Sequence, residues 1–180
     1  MADFVHLHLH SQYSLLDGAI HLKKLFPAIK SMGMDSVALT DHGYMYGTLD
    51  FYLRALGEKI HPVLGCETYV ARGSRLQKEN RDNYHLVLLA KNQRGLANLQ
   101  YLVSMASLDG FYYSPRIDHD LLREHSAGLI GLSACLGGEI PRTYFASGYD
   151  AARDMARKYA GTFERSEERR VGKECRSRGS

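Results

Sequence analysis

Histidines alternate with leucines near the start of the sequence, in the run HLHLHS from His6 to Ser11. In an extended chain, residues i and i+2 project to the same side, so His6, His8 and His10 share one face. Imidazole is a favoured ligand of zinc, manganese and iron. The run therefore predicts a metal site, although an HxH pair on its own is a weak signal.

Other residue types that bind metals follow several segments that look like strands. Asp41 and His42 come after the apolar run VALT, Glu67 after PVLGC, and Cys135 after GLIGLSA. In parallel α/β folds the reactive groups lie at the carboxyl ends of strands, because those ends converge on one rim. We therefore expect these side chains to lie together. His85 lies near the start of its predicted strand, YHLVLLAKN.

Strands and helices alternate along the chain. A strand is predicted from Phe4 to His10, followed by apolar strands at SVALT, IHPVLGCETYV, YHLVLLA and GLIGLSA. Helical spacing predicts helices over residues 19–32, 48–56, 93–108, 118–125 and 151–160. Strands that are apolar on both faces are typical of a parallel sheet covered by helices. The predicted fold class is therefore α/β.

Composition limits the classes of protein to consider. A chain of 180 residues with 44% hydrophobic content is long enough for one domain with a sizeable core. It contains no apolar stretch long enough to cross a membrane and no secretory signal pattern, so we expect a cytoplasmic protein without a membrane partner. Residues 1–164 carry 17 basic and 17 acidic side chains, so bulk charge does not argue for nucleic-acid binding.

The end of the chain differs from the rest in composition. Residues 165–180, RSEERRVGKECRSRGS, contain one large aliphatic residue and no periodicity, which is typical of a disordered end. Residues 165–175 also match the translation of a common sequencing-adapter DNA. We therefore expect residues 165–180 to be an adapter-derived artefact, with the natural domain occupying residues 1–164 and continuing beyond them.

Five longer stretches resemble one known family. They are HLHLHSQYSLLDG, VALTDHGYMYGTLDFY, HPVLGCETYVA, YHLVLLAKNQRGLANLQYLVSMASLDGFYYSPRID and GLIGLSACLGGEIP. They are similar to the polymerase and histidinol phosphatase (PHP) domain, in the form found at the amino terminus of bacterial DNA polymerase III alpha subunits. The resemblance extends from about residue 3 to residue 159.

The resemblance implies a distorted βα barrel of PHP type, incomplete at its C-terminal end, that holds up to three Zn²⁺ or Mn²⁺ ions. The implied ligands are His8, His10, Asp17, His42, Glu67, His85 and Cys135, with the glutamate bridging two ions. We predict that His6 and Asp41 support these ligands from behind. The family's final Asp-x-His pair has no counterpart in this sequence, which fits a chain cut near Glu164.

The implied activity is metal-dependent phosphoester hydrolysis of the 3′–5′ exonuclease type. The parent protein would be a DNA-directed DNA polymerase, whose Mg²⁺-binding carboxylates lie beyond residue 180. The implied partners are DNA, a proofreading exonuclease subunit and a sliding clamp.

The aromatic loop GFYYSPRID contains two candidate DNA contacts, Tyr112 and Arg116, which could stack on bases and pair with phosphates. A packed loop is an equally good interpretation of these residues. Two other functions also remain open for the whole domain. One is a stand-alone phosphatase acting on a small phosphate monoester, and the other is a non-catalytic docking platform for a proofreading subunit.

Overall fold

The computed structural model describes residues 4–163, in which helices pack against a five-stranded sheet. In chain order the elements are α1 Leu22–Ser31, β1 Ser36–Leu39, α2 Thr48–Gly57, β2 His61–Ala71, β3 Asn83–Ala90, α3 Gln93–Leu108, β4 Arg116–Ile117, α4 His119–Glu124, β5 Leu129–Leu132 and α5 Glu139–Thr162. None of the described helices is long and apolar enough to cross a membrane. The tail predicted over residues 165–180 lies outside the described residues.

The sheet is mixed, which corrects the prediction of a parallel sheet. β1 and β4 pair with β2 in parallel, whereas β3 runs antiparallel to both of its neighbours, β2 and β5. The chain passes from β2 to β3 through residues 72–82 without a helix, and a parallel return would need a longer crossover. The α/β class is confirmed, and within residues 4–163 the sheet does not close into a barrel.

The predicted first strand forms only in part. His6 pairs in parallel with Val37, and the Thr40 N–H donates to the carbonyl of Leu9 at 2.9 Å. The Leu9 N–H donates to the side-chain Oγ1 of Thr40 at 2.8 Å rather than to a backbone carbonyl, and the chain bends at His8. The first segment is therefore extended beside β1 but is not a regular strand.

The helices follow the apolar spacing closely, with one exception. α3 has the predicted bounds, and the side chain of Asn92 caps its start by accepting from the Gly95 N–H. α5 is longer than the predicted helix over residues 151–160 and begins at Glu139. Its first half contains Pro141, which a first helical turn tolerates, and Gly148 interrupts the helix with a φ of 83°.

Alternation along the strands divides the core between the two faces of the sheet. Leu86 and Leu88 of β3 point toward α3 and α4, where they pack with Leu99 and Leu122. α1 and α2 cover β1 on the same side, in a second apolar cluster. On the opposite face a smaller cluster comprises Ala38, Val87, Leu89 and Leu132. The candidate site lies on this second face, away from the helices.

Candidate metal centre

Glu67 stands at the centre of the candidate site. It lies in the middle of β2 and is 1% exposed. Side chains alternate along a strand, so the neighbouring Cys66 points the other way and packs in the core beneath α3. Tyr69 shares the face of Glu67, and His85 lies opposite Tyr69 in the register of β2 and β3. The sheet therefore buries one carboxylate on the face away from the helices.

Two histidines of the first segment contact the Glu67 carboxylate. The Nε2 atom of His8 lies 2.6 Å from Glu67 Oε2, and the Nε2 atom of His10 lies 3.0 Å from the same oxygen. The two imidazole rings meet edge to face, with centroids 4.9 Å apart. The HxH spacing therefore delivers both rings to one carboxylate oxygen.

His42 and Asp17 extend this cluster. His42 follows β1 and continues its parallel pairing with β2, so that the Gly43 N–H donates to the carbonyl of Glu67 at 2.8 Å. The Nδ1 atom of His42 lies 3.8 Å from Glu67 Oε2, and its Nε2 atom lies 3.0 Å from Asp17 Oδ2. The ring of His42 stacks on that of His10 at 4.0 Å. His42 thus links the exposed Asp17 to the buried carboxylate.

β3 and the turn after β5 supply the remaining two candidate ligands. Because β3 is antiparallel, its start lies at the edge where β2 and β5 end, so His85 reaches the site from the beginning of its strand. His85 Nδ1 lies 2.5 Å from Glu67 Oε1 and 3.7 Å from Cys135 Sγ. The turn that presents Cys135 includes Ala134 in a left-handed conformation, with a φ of 61°.

Asp41 lies behind the cluster and holds two segments together. It is 4% exposed, and its carboxylate accepts hydrogen bonds from the Ser11 N–H at 2.6 Å, the Ser11 hydroxyl at 2.8 Å and the Ser14 hydroxyl at 2.7 Å. Its backbone carbonyl accepts from the Glu67 N–H at 3.1 Å. Asp41 therefore lies where it can position the loop that carries Asp17, and its support of the ligands stays a prediction.

His6 has a different environment from the two histidines that follow it. Its ring packs edge-on against Phe4, with centroids 4.8 Å apart, and its backbone carbonyl accepts from the Ala38 N–H at 2.8 Å. Within residues 4–163, no hydrogen bond joins its side chain to a candidate ligand. His6 thus holds the first segment beside β1 through its backbone. That its side chain supports a ligand stays a prediction.

Arg116 is buried, so the prediction that it contacts DNA is wrong. It is 1% exposed, and its guanidinium donates to four backbone carbonyl groups, those of Arg75, Gln77, Asn80 and Gly110. These bonds tie down the connection between β2 and β3. Tyr112 is half-buried, with its ring centroid 5.2 Å from the Arg116 guanidinium. The packed-loop alternative therefore describes this pair.

The negative charge of the site is concentrated on Glu67. Burial raises the pKa of this carboxyl, but the hydrogen bonds with His10 and His8 and the close approach of His85 outweigh it and hold the pKa well below its usual range. Burial lowers the pKa of His10, but its hydrogen bond and charge interaction with Glu67 outweigh burial and raise that pKa. Glu67 is therefore a carboxylate at neutral pH, the state in which it can bind a cation.

The side chains fit a centre for divalent metal ions. Two sets of three ligand atoms lie within 4.8 Å of one another, and they are His8, His10 and Glu67 in one set and Glu67, His85 and Cys135 in the other. Among the described residues, two buried ring nitrogens of the site have no hydrogen-bond partner, His10 Nδ1 and His42 Nδ1. Unpaired buried polar atoms are uncommon in proteins, and both of these are atoms that bind metals.

Tyr69 is a residue of the site that the sequence interpretation missed. Its ring lies parallel to that of His42 at 6.2 Å and edge-on to that of His85 at 5.4 Å. Burial, followed by the charge of Glu67, raises the pKa of Tyr69 to about 12. Its position two residues after Glu67 on a strand was the signal that could have identified it.

Comparison with known proteins places this arrangement in a family. The model of the PHP domain matches residues 6–168. The chain belongs to the PHP domain family. The DNA polymerase III alpha subunit of Helicobacter pylori is 50% identical to this PHP domain over 172 residues, and that of Treponema pallidum is 47% identical over 164 residues. Each alignment covers 89% of this chain and 14% of the relative.

All seven candidate ligands of the PHP domain lie within the matched residues. The chain spans about 14% of the length of the polymerase subunits it matches. Among solved structures, an amidohydrolase from Chromobacterium violaceum is similar with a TM-score of 0.39 at 17% identity, covering 85% of this chain and 54% of that one. The resemblance to the PHP domain of alpha subunits is therefore confirmed by the family match and the polymerase relatives.

Proposed function

We propose that the chain is part of a DNA polymerase III alpha subunit and that its PHP domain hydrolyses phosphodiesters at the 3′ end of DNA, with Zn²⁺ or Mn²⁺ as cofactor. The observation that carries this proposal is the convergence of two sets of ligand atoms on the buried carboxylate of Glu67. The chain is 50% identical to an alpha subunit over 172 residues, which supports the proposal that its parent protein is an alpha subunit. DNA polymerisation with Mg²⁺ would belong to other parts of that protein.

The ligand atoms divide into groups around Glu67, which would bridge two ions. His8 and His10 would complete one position, and His85 and Cys135 the other. Asp17 and His42, 3.0 Å apart, would contribute to a third. Such ions, when bound, lower the pKa of a bound water and neutralise charge on a phosphate.

The other properties of the site suit a reaction on a phosphate. Asp17 and stacking on His10 fix the orientation of the His42 imidazole. The Tyr69 ring lies beside those of His42 and His85 and adds a phenol hydroxyl, a hydrogen-bond donor, to the site. Asp17 and Cys135 are exposed, so the centre is open to solvent on one side and accessible to the end of a polymer.

The relatives also support proposals about context. As part of an alpha subunit, the PHP domain would work in the bacterial cytoplasm on DNA. Its protein partners would be a proofreading exonuclease subunit and a sliding clamp, both bound through the parent protein. These proposals rest on the alpha-subunit relatives.

The test is hydrolysis by the metal-stripped chain after addition of Zn²⁺ or Mn²⁺. A 5′-labelled oligonucleotide and p-nitrophenyl phosphate are offered separately, with Glu67→Gln as the inactive variant and Glu58→Gln, on the exposed surface, as its matched control. We expect metal-dependent shortening of the oligonucleotide from its 3′ end, lost in Glu67→Gln and retained in Glu58→Gln. Hydrolysis of the monoester alone would indicate a small-molecule phosphatase, and metal binding without hydrolysis would indicate a docking platform.

A further inference from the structure

Two tyrosines in the loop after β1 form a stacked pair beside the candidate centre. The rings of Tyr44 and Tyr46 lie 4.8 Å apart and 15° from parallel. Tyr44 is half-buried, whereas Tyr46 is 71% exposed. Tyr46 therefore presents to solvent an aromatic surface whose position is fixed by a second ring.

The loop that carries this pair is held firmly to the sheet. The Gly43 N–H donates to the Glu67 carbonyl at 2.8 Å, and the Cys66 Sγ lies 3.4 Å from the Asp41 carbonyl and 3.7 Å from the Tyr44 carbonyl. Gly47 lies under the ring of Tyr13, where an added Cβ would approach a ring carbon to 2.6 Å. The tyrosine pair is thus anchored on both sides, which lowers the entropic cost of binding a flat ligand.

The loop that carries this pair begins at the candidate centre. Tyr44 is two residues after His42, and the intervening Gly43 lies where an added Cβ would approach the ring of Tyr69 to 3.0 Å. Tyr69 lies parallel to His42, and His42 stacks on His10. The exposed ring of Tyr46 therefore lies on a short loop that leaves the centre at the proposed ligand His42, four residues earlier in the chain.

We propose that Tyr46, backed by Tyr44, is a stacking platform for a nucleobase near the 3′ end of single-stranded DNA whose terminal phosphodiester lies at the candidate centre. The inference rests on the proposed function and adds a binding residue to it. Every nucleobase has a flat π face, so an exposed, supported tyrosine binds single strands without sequence preference. A base paired within a duplex has both faces covered by its neighbours, so the platform favours unpaired ends.

The test measures base stacking directly and does not depend on catalysis. The probe is a twelve-nucleotide thymidine strand with phosphorothioate linkages and 2-aminopurine at its 3′ end, added to the chain with Mn²⁺. We expect quenching of 2-aminopurine fluorescence and, in Tyr46→Ala, affinity weaker by about 5- to 100-fold with the quenching lost. Tyr46→Phe retains both, because the ring and not the hydroxyl forms the stack.

Tyr149→Ala is the matched control, since Tyr149 is 68% exposed on α5, where its ring centroid lies 5.9 Å from the Arg153 guanidinium. We expect it to bind the probe as the unmodified chain does. Equal affinity and quenching in Tyr46→Ala and the unmodified chain, or no quenching in the unmodified chain, would overturn the inference. The hydrolysis assay with Glu67→Gln tests the proposed function separately. A failure of the stacking proposal can therefore be told apart from a failure of the proposed hydrolysis.

Discussion

The carboxylate of Asp41 accepts hydrogen bonds from both the backbone N–H and the hydroxyl of Ser11, at 2.6 and 2.8 Å. This contact joins segments that are 30 residues apart. One carries His8 and His10, and the other carries His42. The buried carboxylate of Asp41 is therefore one of the contacts that set the position of His8 and His10 relative to His42.

Replacement of Asp41 by asparagine tests this dependence. The amide presents donors to groups that are themselves donors, so we expect the free energy of unfolding to fall by about 2–4 kcal/mol. We also expect Zn²⁺ affinity to fall about 10- to 100-fold, as is typical when a group that orients ligands is lost. Urea denaturation and metal titration measure the two effects. Asp50→Asn, in α2, is the control, and an Asp41→Asn chain with unchanged metal affinity would refute the positioning role.

Arg116→Met tests the role of a buried guanidinium. Methionine fills part of the volume but leaves four carbonyl groups of the loop and its neighbours without a donor, so we expect a loss of about 3–5 kcal/mol in the free energy of unfolding. Proteolysis within residues 72–82 should become faster. Arg123→Met is the matched control, because Arg123 is 62% exposed. Equal stability of the two variants would show that the buried hydrogen bonds contribute little.

Glu139 makes stability depend on acid pH. Burial raises the pKa of its carboxyl, but the hydrogen bonds from His119 and Tyr159, each 2.7 Å long, outweigh burial and lower it. A carboxyl whose pKa is lower in the folded state stabilises the fold above its unfolded pKa, and this contribution is lost as pH falls through the folded pKa. We expect Glu139→Gln to flatten the fall of stability below about pH 4.5.

The measurement for Glu139 is urea denaturation between neutral and acid pH. Glu124→Gln, which removes an exposed carboxylate from α4, serves as the control and should keep the pH dependence of the unmodified chain. An identical slope in Glu139→Gln and Glu124→Gln would contradict the assignment of this acid dependence to Glu139.

Cys135→Ser tests the choice of metal. Thiolate is a soft ligand that zinc prefers far more strongly than manganese does. If Cys135 binds an ion, the substitution should weaken Zn²⁺ binding more than Mn²⁺ binding. Competition with a coloured chelator gives both affinities. A parallel loss for the two metals, or no loss for either, would mean that the sulfur 3.7 Å from His85 is not a ligand.

The spacing of apolar residues predicted the helices, because a helix depends mainly on residues close together in the sequence. The helix predicted over residues 19–32 forms as α1, Leu22–Ser31, and α3 has the predicted bounds. The direction of β3 could not be predicted from the same signal, because an apolar strand has the same pattern in either direction. Only the path of residues 72–82 decides it.

In the candidate site, too, the sequence identified some residues and missed others. Motifs identified residues that the fold brings together, since each motif follows or lies in a strand at one edge. The burial of Arg116 was not predictable, because charged residues in aromatic loops are usually exposed and three of its four carbonyl partners are 36 to 41 residues away in the sequence. Tyr69 was missed because an aromatic residue in a strand is ordinarily part of the core.

The central claim is that Glu67 organises a centre for divalent ions. Titration calorimetry of Zn²⁺ into the metal-stripped chain, compared with Glu67→Gln and the control Glu58→Gln, tests it most directly. We predict that the unmodified chain and Glu58→Gln bind at least two ions, and that Glu67→Gln binds them about 100-fold more weakly or not at all. Undiminished binding by Glu67→Gln, or no binding by the unmodified chain, would contradict the claim.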